Sequence, residues 1–446
     1  MAKYQKYAEY KDSGLKEIGQ IPINWNISKI KFLTKCLDGQ RIPLNGTERG
    51  EKQGDIPYWG ANKVVDYLND WIFDEELILL GEDGAPFFDK SKNVAFAVNG
   101  KIWPNNHVHV LRPFKKLVNT KFLTYALNCT DYSLYISGST RDKLNQSDMD
   151  NILIRLPAII EQDKIAAFLD HETAQIDTLI AKQEKLIELL KEKRQAVISH
   201  AVTKGLNPNI AMKDSGVEWL GEVPDHWIVT KFGFHTLKIG SGKTPKGGAE
   251  IYQDEGILFI RSQNVYNDGL RVESSESTYI SEAIHDDMST SKVYSGDILL
   301  NITGGSIGRS CLVPDEFPEA NVNQHVCIIR VSKYLQEFLA LVIQSDLIQA
   351  QIQSIQTGGN REGLNFEQIS NFYFALPPTE EQKELVKYLE DKVLEFSKLE
   401  VKAHNAIQLM QERRTALISA AVTGKIDVRN WQNPNKNNEV NMELSA

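Results

Sequence analysis

The chain is short of cysteine, of long apolar runs and of net positive charge; the first two shortages each remove a class of protein, and the third only withholds support from one. Its four cysteines, Cys36, Cys129, Cys311 and Cys327, lie far apart and form no C-x-x-C pair. They read as reduced thiols of a cytoplasmic protein and not as disulfides or zinc ligands. No apolar run approaches the ~20 residues that span a bilayer. The first fourteen residues lack the apolar core of a signal peptide. The formal charge of −9 offers no basic footprint for nucleic acid. Net charge is an average, however, and a folded chain can hold a basic cleft against acidic outer faces. With 41% hydrophobic and 24% charged residues the composition is that of a soluble globular protein, apart from an Asn-rich tail at 433–441. A length of 446 residues suggests about three or four domains.

Catalytic signatures are also missing. Gly240-Ser241-Gly242-Lys243-Thr244 invites a phosphate-loop reading, but Leu237 stands where the first glycine belongs and Pro245 follows the threonine. Thr303-Gly304-Gly305-Ser306-Ile307-Gly308 lacks dinucleotide spacing and reads as a turn. His107 and His109 alternate on one strand, yet no third metal ligand stands nearby in sequence. Glu390-Asp391-Lys392 has the residue types of a Mg²⁺ nuclease but falls inside a helical pattern, and Glu82-Asp83-Gly84 reads first as a turn. No Asn-Pro-Pro-aromatic sequence is present. The expectation is a chain that binds and does not catalyse, with no metal site.

What is present is duplication. KDSGLKEIGQIPINW from Lys11 recurs as KDSGVEWLGEVPDHW from Lys213, seven of fifteen positions being identical at an offset of 202. Gly and Pro fix turns, and the Trp that follows can anchor such a turn on a domain. A second repeat, at an offset of 220, pairs LPAIIEQDKIAAFLDHETAQIDTLI from Leu156 with LPPTEEQKELVKYLEDKVLEFSKLE from Leu376. Upstream, Arg141, Leu144 and Asn145 pair with Arg361, Leu364 and Asn365. The interval between the two repeats is therefore 18 residues longer in the second copy, so the frames match while their contents differ.

Each segment after Leu-Pro carries a seven-residue apolar period. Leu169, Ile176, Leu190 and Val197 form one seam with Leu179 and Leu186 beside it. Leu389, Phe396, Ala403, Met410 and Leu417 form the other, with Leu399 and Ala406. Such a period marks helices that pair lengthwise, and each would run about 66 Å, too long for a small domain alone. Between the frames, short β-rich runs are punctuated by Gly, Asn and Pro. Strands are expected at 76–80, 94–98 and 107–112, then at 257–261, 297–302 and 325–331; helices are expected at 120–127 and 333–355.

Polar and aromatic residues cluster in the loops at 58–62, 103–107, 261–264 and 321–325. Asn, Gln and Arg pair bidentately with purine edges in the major groove. Asn and Gly also simply make turns, so both readings stay open for any single residue.

Several segments carry a family resemblance: the turn ending in Pro-x-x-Trp, Arg-x-x-Leu-Asn, the Leu-Pro entry and the Glu-Gln-opened helix. So do GEDGAPFF at Gly81, GKIWPNNHVHVLRP at Gly100, FIRSQNV at Phe259, GDILLNITGGSIGR at Gly296 and NVNQHVCIIR at Asn321. From about Asp12 to Asp427 the chain resembles the specificity subunit of type I restriction–modification systems. The resemblance implies an α+β class: two globular target-recognition domains joined by two long antiparallel coiled-coil helices in a pseudo-twofold tandem repeat. The domains would span 1–155 and 209–375, the spacer helices 156–208 and 376–430, and a polar tail 431–446.

It further implies double-stranded DNA as a partner, with two methyltransferase (modification) subunits docked on the helices and restriction/translocase subunits completing the enzyme. S-adenosylmethionine, ATP and Mg²⁺ would belong to those partners, with no membrane involved. Candidate DNA contacts are Asn105, Asn106, His107 and Arg141 in the first domain. In the second they are Arg261, Gln263, Asn264, Asn323, Gln324 and Arg361. Arg141 and Arg361 share a frame position and so suit phosphate more than base. Two other classes compete: a coiled-coil scaffold for proteins, which would show no salt-dependent DNA binding, and a self-contained nuclease or methyltransferase, against which the missing motifs speak.

Overall fold

The computed structural model describes residues 4–136, 142–273, 277–356 and 363–434. It divides into two units, Met1–Glu184 with His404–Ala446, and Lys185–Ala403. The two long helices, Ile159–Lys204 and Thr379–Val422, therefore each belong partly to one unit and partly to the other. Among the described residues no helix is long and apolar enough to cross a membrane.

Each unit contains a two-stranded clasp cut from the repeated turn. Tyr10–Asp12 pairs with Gln20–Pro22, and Met212–Asp214 with Glu222–Pro224, in the same register. The tryptophan that closes each turn is fully buried. Trp25 Nε1 donates to Glu161 Oε1 and Trp227 Nε1 to Glu381 Oε2, both at 3.1 Å. The Glu of each Glu-Gln pair is thus the tryptophan's acceptor. The Gln turns back to the helix entry: Gln162 Nε2 donates to Pro157 O at 2.9 Å and Gln382 Nε2 to Pro377 O at 2.7 Å. A hydrogen bond to a charged acceptor is worth roughly 1.5–3 kcal/mol, which accounts for a Trp and a Glu so far apart in sequence.

The other side of each tryptophan meets the end of the opposite helix. A Cβ on Gly424 would lie 2.6 Å from Pro22 and 3.4 Å from the Trp25 ring, and one on Gly205 would lie 3.5 Å from the Trp227 ring. Both glycines have a positive φ, 75° and 76°, the left-handed conformation in which glycine ends helices. In the first unit the helical segments run antiparallel, with Asp177 bonded to Arg414 at 2.9 Å and Lys164 to Arg429 O at 2.5 Å. In the second, the end of one helix at Gly205 lies beside Glu381 at the start of the other.

The main seam is buried at Leu169, Ile176, Leu190, Leu389, Phe396, Ala403 and Leu417. The flanking row is not. Leu179, Leu186 and Leu399 are exposed, while Ile180 and Ile187, one position later, are half-buried and buried, so the covered companion row is displaced by one residue.

Between clasp and helix the interiors agree more closely than their sequences suggest. One sheet in the first unit runs Thr34–Cys36, Val108–Pro113, Leu77–Gly81, Ala95–Val98. Its counterpart runs Thr236–Ser241, Val326–Val331, Ile298–Asn301, Ser310–Leu312. Registers coincide: His109 opposes Leu80 where Cys327 opposes Leu300, and Leu111 opposes Ile78 where Ile329 opposes Ile298. The other sheet runs Val64–Leu68, Gln53–Trp59, Lys101–Pro104, Phe73–Asp74 in the first unit. The second has Tyr279–Ile280, Ile257–Ile260, Ala320–Val322, Lys292–Val293. In both sheets the central pair is parallel. What the units share is sheet order and burial, which many sequences satisfy. The fold class is α+β.

The extra length of the second copy falls almost wholly in one connection. Residues 60–77 connect Trp59 to Ile78, whereas 261–297 connect the equivalent Ile260 to Ile298. The longer connection adds the hairpin Val265–Tyr266 with Gly269–Leu270 and the helix Glu282–Asp287. The helix expected at 333–355 breaks at Ser345 into Gln336–Gln344 and Asp346–Gln356. Ser345 is extended and buried, and its hydroxyl donates to Val342 O at 2.5 Å, a local bond that competes with helix continuation.

Candidate nucleic-acid interface

The parallel strand pair in each unit ends in two adjacent loops, and most candidate contacts fall there. In the first unit Asn105 N donates to Trp59 O at 2.9 Å, which sets residues 105–107 beside the loop at 60–62. In the second, Asn323 N donates to Ile260 O at 3.0 Å and brings 323–325 beside 261–264. Asn105, Asn106 and His107 thus lie together, and so do Arg261, Gln263, Asn264, Asn323 and Gln324. Arg141 and Arg361 lie outside the described residues.

The recurring Asn-x-His makes the same turn in both units. Asn105 Oδ1 accepts from His107 N at 2.8 Å, and Asn323 Oδ1 accepts from His325 N at 3.1 Å. Each histidine then faces the equivalent position of the neighbouring loop, where the residues differ. His107 Nδ1 lies 3.4 Å from Asp83 Oδ2, while His325 Nδ1 lies 2.6 Å from Thr303 Oγ1. Asn264 is 2% exposed; its Oδ1 accepts from Arg261 N at 2.9 Å and its Nδ2 donates to Arg271 O at 2.7 Å. In this conformation its amide presents no free edge. Asn106 and Gln263 are exposed. Gln324 is exposed too, although Thr244 Oγ1 donates to its Oε1 at 2.6 Å. Arg261 lies 5.9 Å from the Tyr252 ring centre, and its buried Nε has no hydrogen-bond partner among the described residues.

Three features of this edge escaped the sequence reading. The Gly242-Lys243-Thr244 loop stands against 323–324: Gly242 N donates to Asn323 O at 3.2 Å, and a Cβ on Gly242 would fall 1.6 Å from Val322 O. That glycine is required by close backbone approach and not by a phosphate. The insertion supplies the second, an aromatic flanked by two guanidinium groups. Arg271 and Arg309 lie 5.0 and 4.9 Å from the Tyr266 ring centre. Arginine on an aromatic face suits nucleic acid, and the only sequence signal was the extra length itself.

The third is a buried polar network behind the first unit's loops. His109 Nδ1 lies 2.6 Å from Asp38 Oδ2 and its Nε2 2.8 Å from Leu144 O, so the ring ties the Leu-Asn frame segment to the sheet. Asp38, Glu82 and His109 have ligand atoms close enough to hold a cation. That place is taken by Arg41, whose Nη1 is 2.7 Å from Glu82 and whose Nη2 is 3.4 Å from Asp38. Burial works to raise the Asp38 pKa, but His109, the Val110 N–H and Arg41 together hold it below the usual carboxylate value.

Two α+β units that present different polar loops from one strand framework, each joined to a long helix, define a duplicated reading module. A model of the type I restriction modification DNA specificity domain matches residues 22–189 and again 236–409. The chain belongs to this family of type I restriction–modification specificity subunits, with two DNA specificity domains. The EcoBI specificity subunit of Escherichia coli is 27% identical over 383 residues, covering 82% of this chain and 76% of that protein. The MjaVIII specificity subunit of Methanocaldococcus jannaschii is 24% identical over 445 residues, covering 94% and 98%. A solved chain from work on complex assembly and conformational transition of the type I R-M system has a TM-score of 0.66 at 14% identity, covering 91% and 99%. That last likeness speaks for the fold.

Proposed function

We propose that the chain is the non-catalytic reader of a type I restriction–modification complex, addressing a two-part, asymmetric DNA target with one domain per half-site. The observation that carries this is the contrast at equivalent positions of the two strand-end loops. The backbone hydrogen bonds are the same, but Asp83 becomes Thr303 and Gly60-Ala61-Asn62 becomes Arg261-Ser262-Gln263. A common scaffold with different side chains at its edge reads different bases at each half. The reading domains are 1–155 and 209–375. Asn106, Gln263 and Gln324 contact base edges, Arg261 lies beside them, and Arg141 and Arg361 contact phosphate. Asn105, His107, Asn264 and Asn323 shape the loops from which those contacts are made.

The helices at 156–208 and 376–430 set the separation of the half-sites and carry two methyltransferase subunits. Their exposed apolar residues, Leu179 and Leu409 on one unit and Leu186, Leu189, Leu394, Leu399 and Val401 on the other, support that role. Restriction/translocase subunits join them in the cytoplasm, and S-adenosylmethionine, ATP and Mg²⁺ are bound by those partners. The test is a map of methylated positions in host DNA with and without this gene. A bipartite motif that disappears with the gene is expected, and an unchanged methylation map would sink the reading.

A further inference from the structure

A cavity of about 730 Å³ opens in the first unit where the clasp meets the end of the second long helix. It is built away from the strand-end loops, by Tyr10, Ile18 and Gln20 of the clasp region, Arg155 of the closing strand, and Thr423, Lys425 and Ile426 past the helix. Tyr10 ties two of its walls together by donating to Gly424 O at 3.0 Å.

Lys6, Arg155 and Lys425 all line the cavity, and no carboxylate does. None of the three has a carboxylate within ion-pair distance among the described residues. Arg155 donates from Nη2 to Ile18 O at 2.8 Å, while its Nε is buried without an acceptor. Burial lowers the Arg155 pKa, as expected of a guanidinium desolvated with no counter-ion. Three cations around one space whose lining holds no carboxylate suit a multiply charged oxyanion better than a single carboxylate. The volume exceeds what a bare phosphate needs and is of the size that holds small organic ligands.

The second unit lacks this chemistry at matching registers. Met212 stands where Tyr10 does, Glu222 where Gln20 does, and Ala375 where Arg155 does. The framework is common to both units, so its upkeep does not explain the cations.

We propose that this cavity is a phosphate-binding site peculiar to the first unit, occupied either by a free nucleotide or by a DNA backbone phosphate. The probes are pyrophosphate and ATP, titrated calorimetrically into the full-length chain, and a short duplex without the target sequence, followed by anisotropy at several salt concentrations. Lys6 and Lys425 are exposed, so Lys6→Ala with Lys425→Ala leaves the fold intact, as an unchanged melting temperature would confirm. The double variant is expected to weaken pyrophosphate and ATP about tenfold or more, and Arg155→Lys to weaken them less. If the free anions do not bind but the double variant lowers duplex affinity and reduces the salt slope by about two contacts, the source is the DNA backbone. If neither the free anions nor the duplex respond to the double variant, the proposal is overturned.

Discussion

The first and second units share a clasp, a sheet order and a helix entry, yet one contains a buried His–Asp–Glu–Arg network and the other a hairpin insertion. Where the first has His109 in the middle of a sheet, the second has Cys327 at the same register. Where the second extends 261–297 into a hairpin bearing Tyr266 and Arg271, the first makes a short connection. The difference separates two duties. Residues that meet the helices recur because both ends of both helices depend on them. The strand-end loops meet the frame through recurring backbone bonds, Leu144 N to Glu82 O and Leu364 N to Ile302 O, both at 2.8 Å, which leave their side chains free to vary.

The strongest test of that separation is to remove its anchors. Trp25→Ala and Trp227→Ala should each cost about 3–5 kcal/mol, as for other large-to-small changes in cores. Limited proteolysis should then open the first unit in one variant and the second in the other. Equal cleavage of both units in either variant would show that the cores do not act separately. A finer comparison uses the glycines at the helix ends. Gly205→Ala should cost about 1–2 kcal/mol for a left-handed alanine. Gly424→Ala should add roughly 1–3 kcal/mol by overpacking against Pro22. Equal melting temperatures for the two variants would mean that Pro22 yields without cost.

These anchors were half legible in the sequence. Pro-x-x-Trp and Leu-Pro with Glu-Gln stood out as repeats, and the heptads announced long helices. Nothing in the sequence tied Trp25 to Glu161 or to Gly424, because the bond and the packing join segments that only the fold brings together. The interiors looked unrelated for the opposite reason. LILLG and DILLN, or HVHVLRP and HVCIIRV, satisfy one pattern of burial with few identities, and identity was what revealed the frame. Among the candidate contacts, residue type led to the loops but could not separate Asn264, whose amide is consumed by backbone, from the exposed Gln263 one position earlier. The Tyr266 cluster was hidden because Arg309 comes from a different strand connection.

That neighbouring pair provides the next test. Gln263→Ala should leave stability unchanged and relax discrimination at one half-site by about 1–3 kcal/mol, read from the methylated motif. Asn264→Ala should instead destabilise the second unit by about 1–3 kcal/mol, since it strands the Arg261 N–H and the Arg271 carbonyl. A relaxed motif in a fully stable Asn264→Ala variant would reverse the two roles.

The smallest expected effect concerns acid, and it distinguishes the units through the network that only one of them has. Asp38 is held below the ordinary aspartate pKa of about 3.9. Its ionised form therefore stabilises the first unit at every pH above that value, and the contribution is lost as pH falls through the lower folded-state pKa. The strand carrying His109 should lose protection first, because Val110 N donates to Asp38 Oδ1 at 2.8 Å. The equivalent amide, Ile328, lies on a strand with Cys327 in place of the histidine and serves as an internal reference. Hydrogen-exchange protection factors for the two amides, compared between about pH 5 and pH 3, should diverge in the wild-type chain. In Asp38→Asn the Val110 amide should start less protected and show no further loss specific to acid. Parallel decline of both amides in both proteins would assign the acid response to the units at large and remove Asp38 as the source of their difference.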